Sequence, residues 1–150
     1  MGGRRRAAHK KTRQVKTAFK KSGIRKPKGS GLLKDGTPRE SVIQRDILLW
    51  LKSTGLLFWR SNSGSLFLHG RHINLGPLGC ADISVVVPPL GRFVGMEVKT
   101  AKGKLRKDQV TYAAGLTAHG GLYFVVRSVD DAKNAIAQAL GEELWKTLGL

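Results

Sequence analysis

The chain has one cysteine, Cys80, and only 10 acidic residues in 150. A lone thiol excludes an intrachain disulfide, and nothing asks for an oxidising compartment. With histidines as scattered as His9, His69, His72 and His119, it also excludes a structural zinc site. No apolar run approaches the roughly 18 residues that a membrane-crossing helix needs. No glycine-rich loop of the P-loop kind occurs. Ser61, Ser63 and Ser65 have no recognisable triad partners. The start, Met1-Gly2-Gly3-Arg4-Arg5-Arg6, lacks the hydroxyl residue that a myristoylation signal carries at position six.

The shortage of acid is concentrated at one end. The formal charge is +17, and residues 1–39 account for +13 of it, with 14 Lys and Arg against the single acid Asp35. Residues 40–150 carry only +4. Residues 1–36 contain few large apolar side chains and read as a basic, disordered tail. Val15, Ala18 and Phe19 are spaced to form a short helix on a partner. Such a tail matches a polyanion, bound with strong salt dependence. The same composition suits a solubilising arm, a ribosome-like RNA-binding extension, an organellar transit peptide or a nuclear address. The expected location is inside a cell, with the compartment left open.

Residues 37–150 suffice for one domain with a hydrophobic core. Thr37-Pro38-Arg39-Glu40 predicts a capping box with proline at the first helical position. Behind it Ile43, Ile47, Trp50 or Leu51 and Thr54 recur at helical spacing, and Gly55 ends the helix. Residues 56–60 read as a strand. A hairpin of 66–68 with 73–75 turns at His69-Gly70-Arg71. Strands 82–87 and 92–100 flank the breaker Pro88-Pro89-Leu90-Gly91 and pair antiparallel. A helix over 105–118 follows the basic turn Lys102-Gly103-Lys104. A strand over 122–127 and a helix over 130–140 complete the order. The last strand is nearly all apolar, which predicts helices on both of its faces. The expected fold is a mixed α/β sandwich. The apolar segment with Leu144, Trp145, Leu148 and Leu150 suits either an interface or a cap on the core.

Asp82 stands fifteen residues before Glu97-Val98-Lys99. Alternate residues of a strand share a face, so Glu97 and Lys99 emerge together while Val98 faces the other way. Two carboxylates and an ammonium on one sheet face can hold a hard divalent cation and steady a water beside a phosphodiester. Alone, Glu97-x-Lys99 is a weak signal, since most such pairs are solvated strand ion pairs, and Asp82 alone fits a turn residue at a strand start. Glu40 fits its capping box, yet it also shares the inward face of Ile43 and Ile47, an expensive place for an acid that only solvates. Gln109 lies on one stripe with Leu105, Tyr112, Ala113 and Leu116, pointing an amide towards the sheet. A buried glutamine bonded to backbone explains it equally well. Together these groups converge on one sheet edge. Before them the loop Gly76-Pro77-Leu78-Gly79 offers close backbone approach to a ligand. Arg60, Lys102, Lys104, Arg106 and Lys107 are candidate phosphate contacts, each also readable as a solvated surface charge.

The αβββαβ order with Asp82, Glu97-Val98-Lys99 and Gln109 resembles the PD-(D/E)XK nuclease superfamily and, more narrowly, the VRR-NUC family. The resemblance spans roughly residues 40–138. It takes in Glu40, Arg60-Ser61-Asn62-Ser63-Gly64, Gly76-x-x-Gly79, Gly91-Arg92-Phe93, Gly121-x-Tyr123 and Val125-Val126-Arg127. Ala81 stands where the superfamily's name expects proline. The resemblance implies a restriction-endonuclease-like core with a mixed central sheet flanked by helices, preceded by the basic disordered tail.

It further implies a Mg²⁺- or Mn²⁺-dependent DNA endonuclease leaving 5′-phosphate and 3′-hydroxyl ends. Asp82 and Glu97 would bind the metal with the Val98 carbonyl, and Glu40 directly or through water. Lys99 would orient the attacking water, and Gln109 would position Lys99 or a phosphate. Asn62 and Ser63 join Arg60 and the basic loop as expected DNA contacts. No base-reading element is evident, so shape recognition of branched or junction DNA is expected, as in stand-alone resolvases that act as homodimers. A non-catalytic nucleic-acid-binding protein, or a nickase or restriction-like nuclease, remains the alternative.

Overall fold

In a computed structural model of the chain, the described residues are 31–61, 65–74 and 76–149. Residues 1–30 of the expected tail, together with Asn62 and Ser63, lie outside them.

Residues 31–39 make a tight turn ahead of the first helix. Leu32 bridges Pro38, the Leu33 amide donates to the Thr37 carbonyl at 2.7 Å, and the Arg39 amide to Gly31 at 3.0 Å. Helix α1, Glu40–Thr54, therefore begins later than the expected capping box. The Thr37 hydroxyl and amide are both taken by the Asp35 carboxylate, whose pKa they hold below its usual value. Thr37 is thus unable to cap, and Arg39 occupies the N-cap without a capping side-chain bond, its Nε donating instead to the Leu32 carbonyl at 3.1 Å. Glu40 becomes the first helical residue rather than the third.

The order continues with β1 Leu57–Arg60, the hairpin β2 Ser65–Leu68 and β3 Arg71–Asn74, then β4 Ile83–Val87 and β5 Arg92–Val98. After them come α2 Lys107–Ala118, β6 Leu122–Val126, α3 Val129–Leu140 and α4 Glu142–Leu148. The main sheet runs β1-β4-β5-β6, antiparallel except for the parallel pair β5–β6, whose crossover is α2. The hairpin turns at His69 and Gly70, both with positive φ, as a two-residue hairpin loop requires.

The sheet has two unlike faces. Ile83, Val85, Val87, Val94, Met96 and Val98 point to one side, where α1 and α3 supply Ile47, Leu51, Ala132 and Ile136. Each large side chain buried there contributes about 1.5–3 kcal/mol. The other side carries Ser84, Gly95, Glu97 and Tyr123 and is covered by α2. Helices therefore lie on both faces of β6, as its apolar sequence predicts, although β6 forms an edge of the sheet. Helix α4 had no counterpart among the predicted helices. Its Trp145 packs against the core, so this segment caps it.

Candidate active site

Strand β5 builds the site by alternation. While Val94, Met96 and Val98 go to the core, Gly95, Glu97 and Lys99 face α2. Antiparallel register carries Asp82, one residue ahead of β4, opposite Glu97. Its Oδ2 accepts the Val98 amide at 2.9 Å, and its carbonyl accepts the Ser61 amide at 2.9 Å. One aspartate thereby ties the ends of β1, β4 and β5 together. Its Oδ1 accepts no hydrogen bond from a described residue.

Glu97 is 1% exposed, Gln109 4% and Lys99 7%. Lys99 Nζ stands 2.7 Å from Glu97 Oε1, and the same oxygen accepts from Gln109 Nε2. Burial pushes the Glu97 carboxyl above its ordinary pKa, and the Asp82 charge adds to this. The Lys99 hydrogen bond opposes it. Gly103 packs on the Lys99 stem, where a Cβ would sit 3.1 Å from Lys99 Cβ, and Arg127 holds the Gly103 carbonyl at 3.1 Å. The loop after β5 is thereby folded over the lysine.

Gln109 does two things at once. Its Oε1 accepts the Arg106 amide at 2.9 Å and caps α2, while its amide reaches Glu97. The backbone-bonded reading and the site reading are both met by one side chain, because the first turn of α2 lies over the end of β5.

Glu40 does not share the buried face of Ile43 and Ile47. Burial along the helix begins only at Ile43, and Glu40, its first residue, is exposed. Its Oε1 accepts the Thr100 amide at a long 3.4 Å, which sets it on the rim, one residue past Lys99. Gly79 also departs from expectation. With φ +77 it lies against α2, and a Cβ there would fall 2.2 Å from the Asp108 carbonyl oxygen. Its smallness serves helix packing rather than ligand approach.

Of the expected phosphate contacts, Arg60 ends β1 beside the start of β4, and Lys102, Lys104 and Lys107 line the exposed loop before α2 and the first residue of that helix. All four are at the same end of the sheet as Asp82 and Glu97. Lys102 Nζ is 4.0 Å from Asp35. Arg106 forks onto Asp108 at 3.1 and 3.2 Å, which commits its guanidinium.

Tyr123 belongs to the site, although the sequence pattern gives it no role there. Its hydroxyl donates to Glu97 Oε2 at 3.4 Å, and its ring meets Tyr112 edge-on at 6.2 Å. Burial, followed by the Glu97 charge, raises its pKa above the ordinary phenol value. The pairing of Tyr123 with Gly95, which has no side chain in the way, carries it there.

Among the described residues no three metal-binding side chains come together. The pair Asp82 and Glu97, joined by the Val98 carbonyl, is nonetheless a donor set of hard oxygens. Mg²⁺ takes one or two carboxylates and keeps several waters. A cation there would also offset the burial of the Glu97 charge and, to a lesser degree, its repulsion from Asp82. These residues fit such an ion.

The αβββαβ order, the mixed four-stranded sheet and the helices on both faces define a restriction-endonuclease-like α/β fold. A solved structure described as a VRR_NUC domain is similar to this chain, with 24% identity and a TM-score of 0.48 over 65% of this chain and 92% of that one. No protein-family model and no curated protein matches the chain.

Proposed function

We propose that the protein is a metal-dependent DNA endonuclease acting on branched or junction DNA. The observation that carries this reading is the cluster of buried Glu97, Lys99 and Gln109 with half-buried Asp82 at the open end of β5. Burying an acid, an ammonium and an amide in a small domain costs stability unless all are bonded. Here the bonds leave Asp82 Oδ1 uncommitted, and Glu97 Oε2 holds only a long contact.

Asp82, Glu97 and the Val98 carbonyl would hold Mg²⁺ or Mn²⁺, with Glu40 reaching it through water. A bound ion of this kind lowers the pKa of a coordinated water and offsets charge on a phosphate. Lys99 would donate to a phosphoryl oxygen or to the attacking water and stabilise the negative charge that grows in the transition state. Gln109 and Tyr123 would keep the Glu97 carboxylate oriented. Arg60, Lys102, Lys104 and Lys107 would bind backbone phosphates, fixing position without reading sequence. Two such sites in a homodimer would cut two strands of a junction.

The test is incubation of the purified protein with junction, flap, nicked and linear DNA in Mg²⁺, Mn²⁺ or EDTA. Asp82→Ala and Glu97→Ala should each abolish cleavage and keep DNA binding, since neither removes a phosphate contact. Wild-type cleavage by either variant ends the assignment. The rival reading, a non-catalytic nucleic-acid-binding protein, expects salt-sensitive binding with no cleavage in any metal.

A further inference from the structure

Beside the carboxylates, on the same face of the sheet, a cleft of about 410 Å³ opens between β1 and α2. Its walls are Trp59, Phe93 and Tyr112, with Ser61 and Ser84 on the floor and Arg60 at the margin. The register explains the hollow. Trp59, Ser84, Gly95 and Tyr123 form one row across the sheet, and the two central members are small. Helix α2 covers the β6 side of that row and leaves the β1 side open. Ser84 lies two residues beyond Asp82 on β4, about 7 Å along the strand.

We propose that this cleft seats one unpaired nucleobase of a DNA strand whose neighbouring phosphate lies at Asp82 and Glu97. This rests on the nuclease reading for the position of the phosphate. Trp59 is 43% exposed and meets Phe93 edge-on at 5.9 Å, so one face of its indole is held in place. A rigid aromatic face is what an unstacked base seeks, whatever its identity. The floor is polar. Ser61 and Ser84 share a hydroxyl–hydroxyl bond of 2.7 Å, which uses one of their two O–H donors and leaves the other, with acceptor lone pairs, for a ring edge. An aliphatic occupant would waste the hydroxyls, and a bare anion the aromatic walls. The volume falls in the range of single-ligand pockets and is far too small for duplex. The preferred substrate is therefore DNA opened beside the cut.

The experiment measures binding in EDTA, where cleavage plays no part. The full chain is titrated against fluorescent DNA as a paired duplex, as the same duplex with a central unpaired bulge, and as a single strand. Trp59→Leu keeps an apolar side chain on β1 but removes the ring. It should weaken binding to the bulged and single-stranded forms by about 5- to 150-fold, the worth of one stacked base, and leave the duplex nearly unchanged. Trp59→Phe should restore most of the preference. With the wild-type protein, 2-aminopurine at the bulge should dim on binding. Equal losses on paired and unpaired DNA, or unchanged 2-aminopurine emission, overturn the inference, even where the protein cleaves DNA normally. A clear preference for unpaired DNA in a protein that never cleaves keeps the cleft and ends the nuclease reading.

Discussion

At the scale of single residues, Glu97 is the group on which the proposed chemistry turns, and its environment sets a pH dependence. Its folded pKa is raised, so a reaction that needs the carboxylate falls off as pH drops through that raised value rather than through the ordinary one. Mn²⁺ favours the charged form, so raising Mn²⁺ should move this acid limb to lower pH. Gln109→Glu separates two roles. Glutamate also serves at the third position of a helix cap, so α2 should keep its start. A second acid against Glu97 should raise its pKa further and shift the limb upward. Rate–pH profiles of wild type and variant at two Mn²⁺ concentrations read both shifts. Superimposable profiles would show that Glu97 does not govern the rate. Glu40→Gln addresses the rim. Because Glu40 closes no capping box, the variant should keep the wild-type melting temperature and lose rate only if its charge reaches the metal water. Unchanged cleavage would confine Glu40 to the helix start.

At the scale of elements, the contact between Gly79 and α2 aligns the helix over the site. Gly79→Ala meets a left-handed φ and a carbonyl oxygen 2.2 Å away, whereas Gly120→Ala meets only the φ, with nothing within 4 Å. The φ alone costs about 1–2 kcal/mol, and overpacking adds about 1–3. Urea denaturation should therefore show the larger loss at Gly79, with cleavage reduced as well, because Gln109 rides on the displaced turn. Equal losses would mean that the loop yields freely. The order of elements was legible because breakers such as Pro88-Pro89 and Gly120-Gly121 separate segments of clear period. The start of α1 was not, since Thr37 had two competing hydrogen-bond duties and the nearer partner, Asp35, took it. Tyr123 stood in the motif Gly121-x-Tyr123 but with no role attached to its hydroxyl. Only the parallel register with β5 shows that its hydroxyl meets Glu97, and sequence spacing does not say which strands lie side by side.

At the scale of the whole molecule, charge and chemistry are carried by different parts of the chain. Residues 1–30 hold 12 Lys and Arg and no acid. The turn at 31–39 leans on the start of α1, so truncation belongs at residue 30. The truncated protein keeps Glu40, Asp82, Glu97, Lys99 and Gln109 and should cleave at saturating concentration. Its affinity should fall, and the slope of log affinity against log salt should become shallower by about 0.9 for every duplex phosphate that the basic segment neutralises. A slope equal to that of the full chain would assign the segment to a task other than DNA binding.

Because β5 gives one side to the core and the other to Glu97 and Lys99, no loosened form of the molecule can retain the site. Slipping the strand by a single residue would exchange valines for charges across the sheet. Turnover is then a faithful reporter of global folding. Plotted against denaturant, loss of activity and loss of secondary structure should trace a single curve.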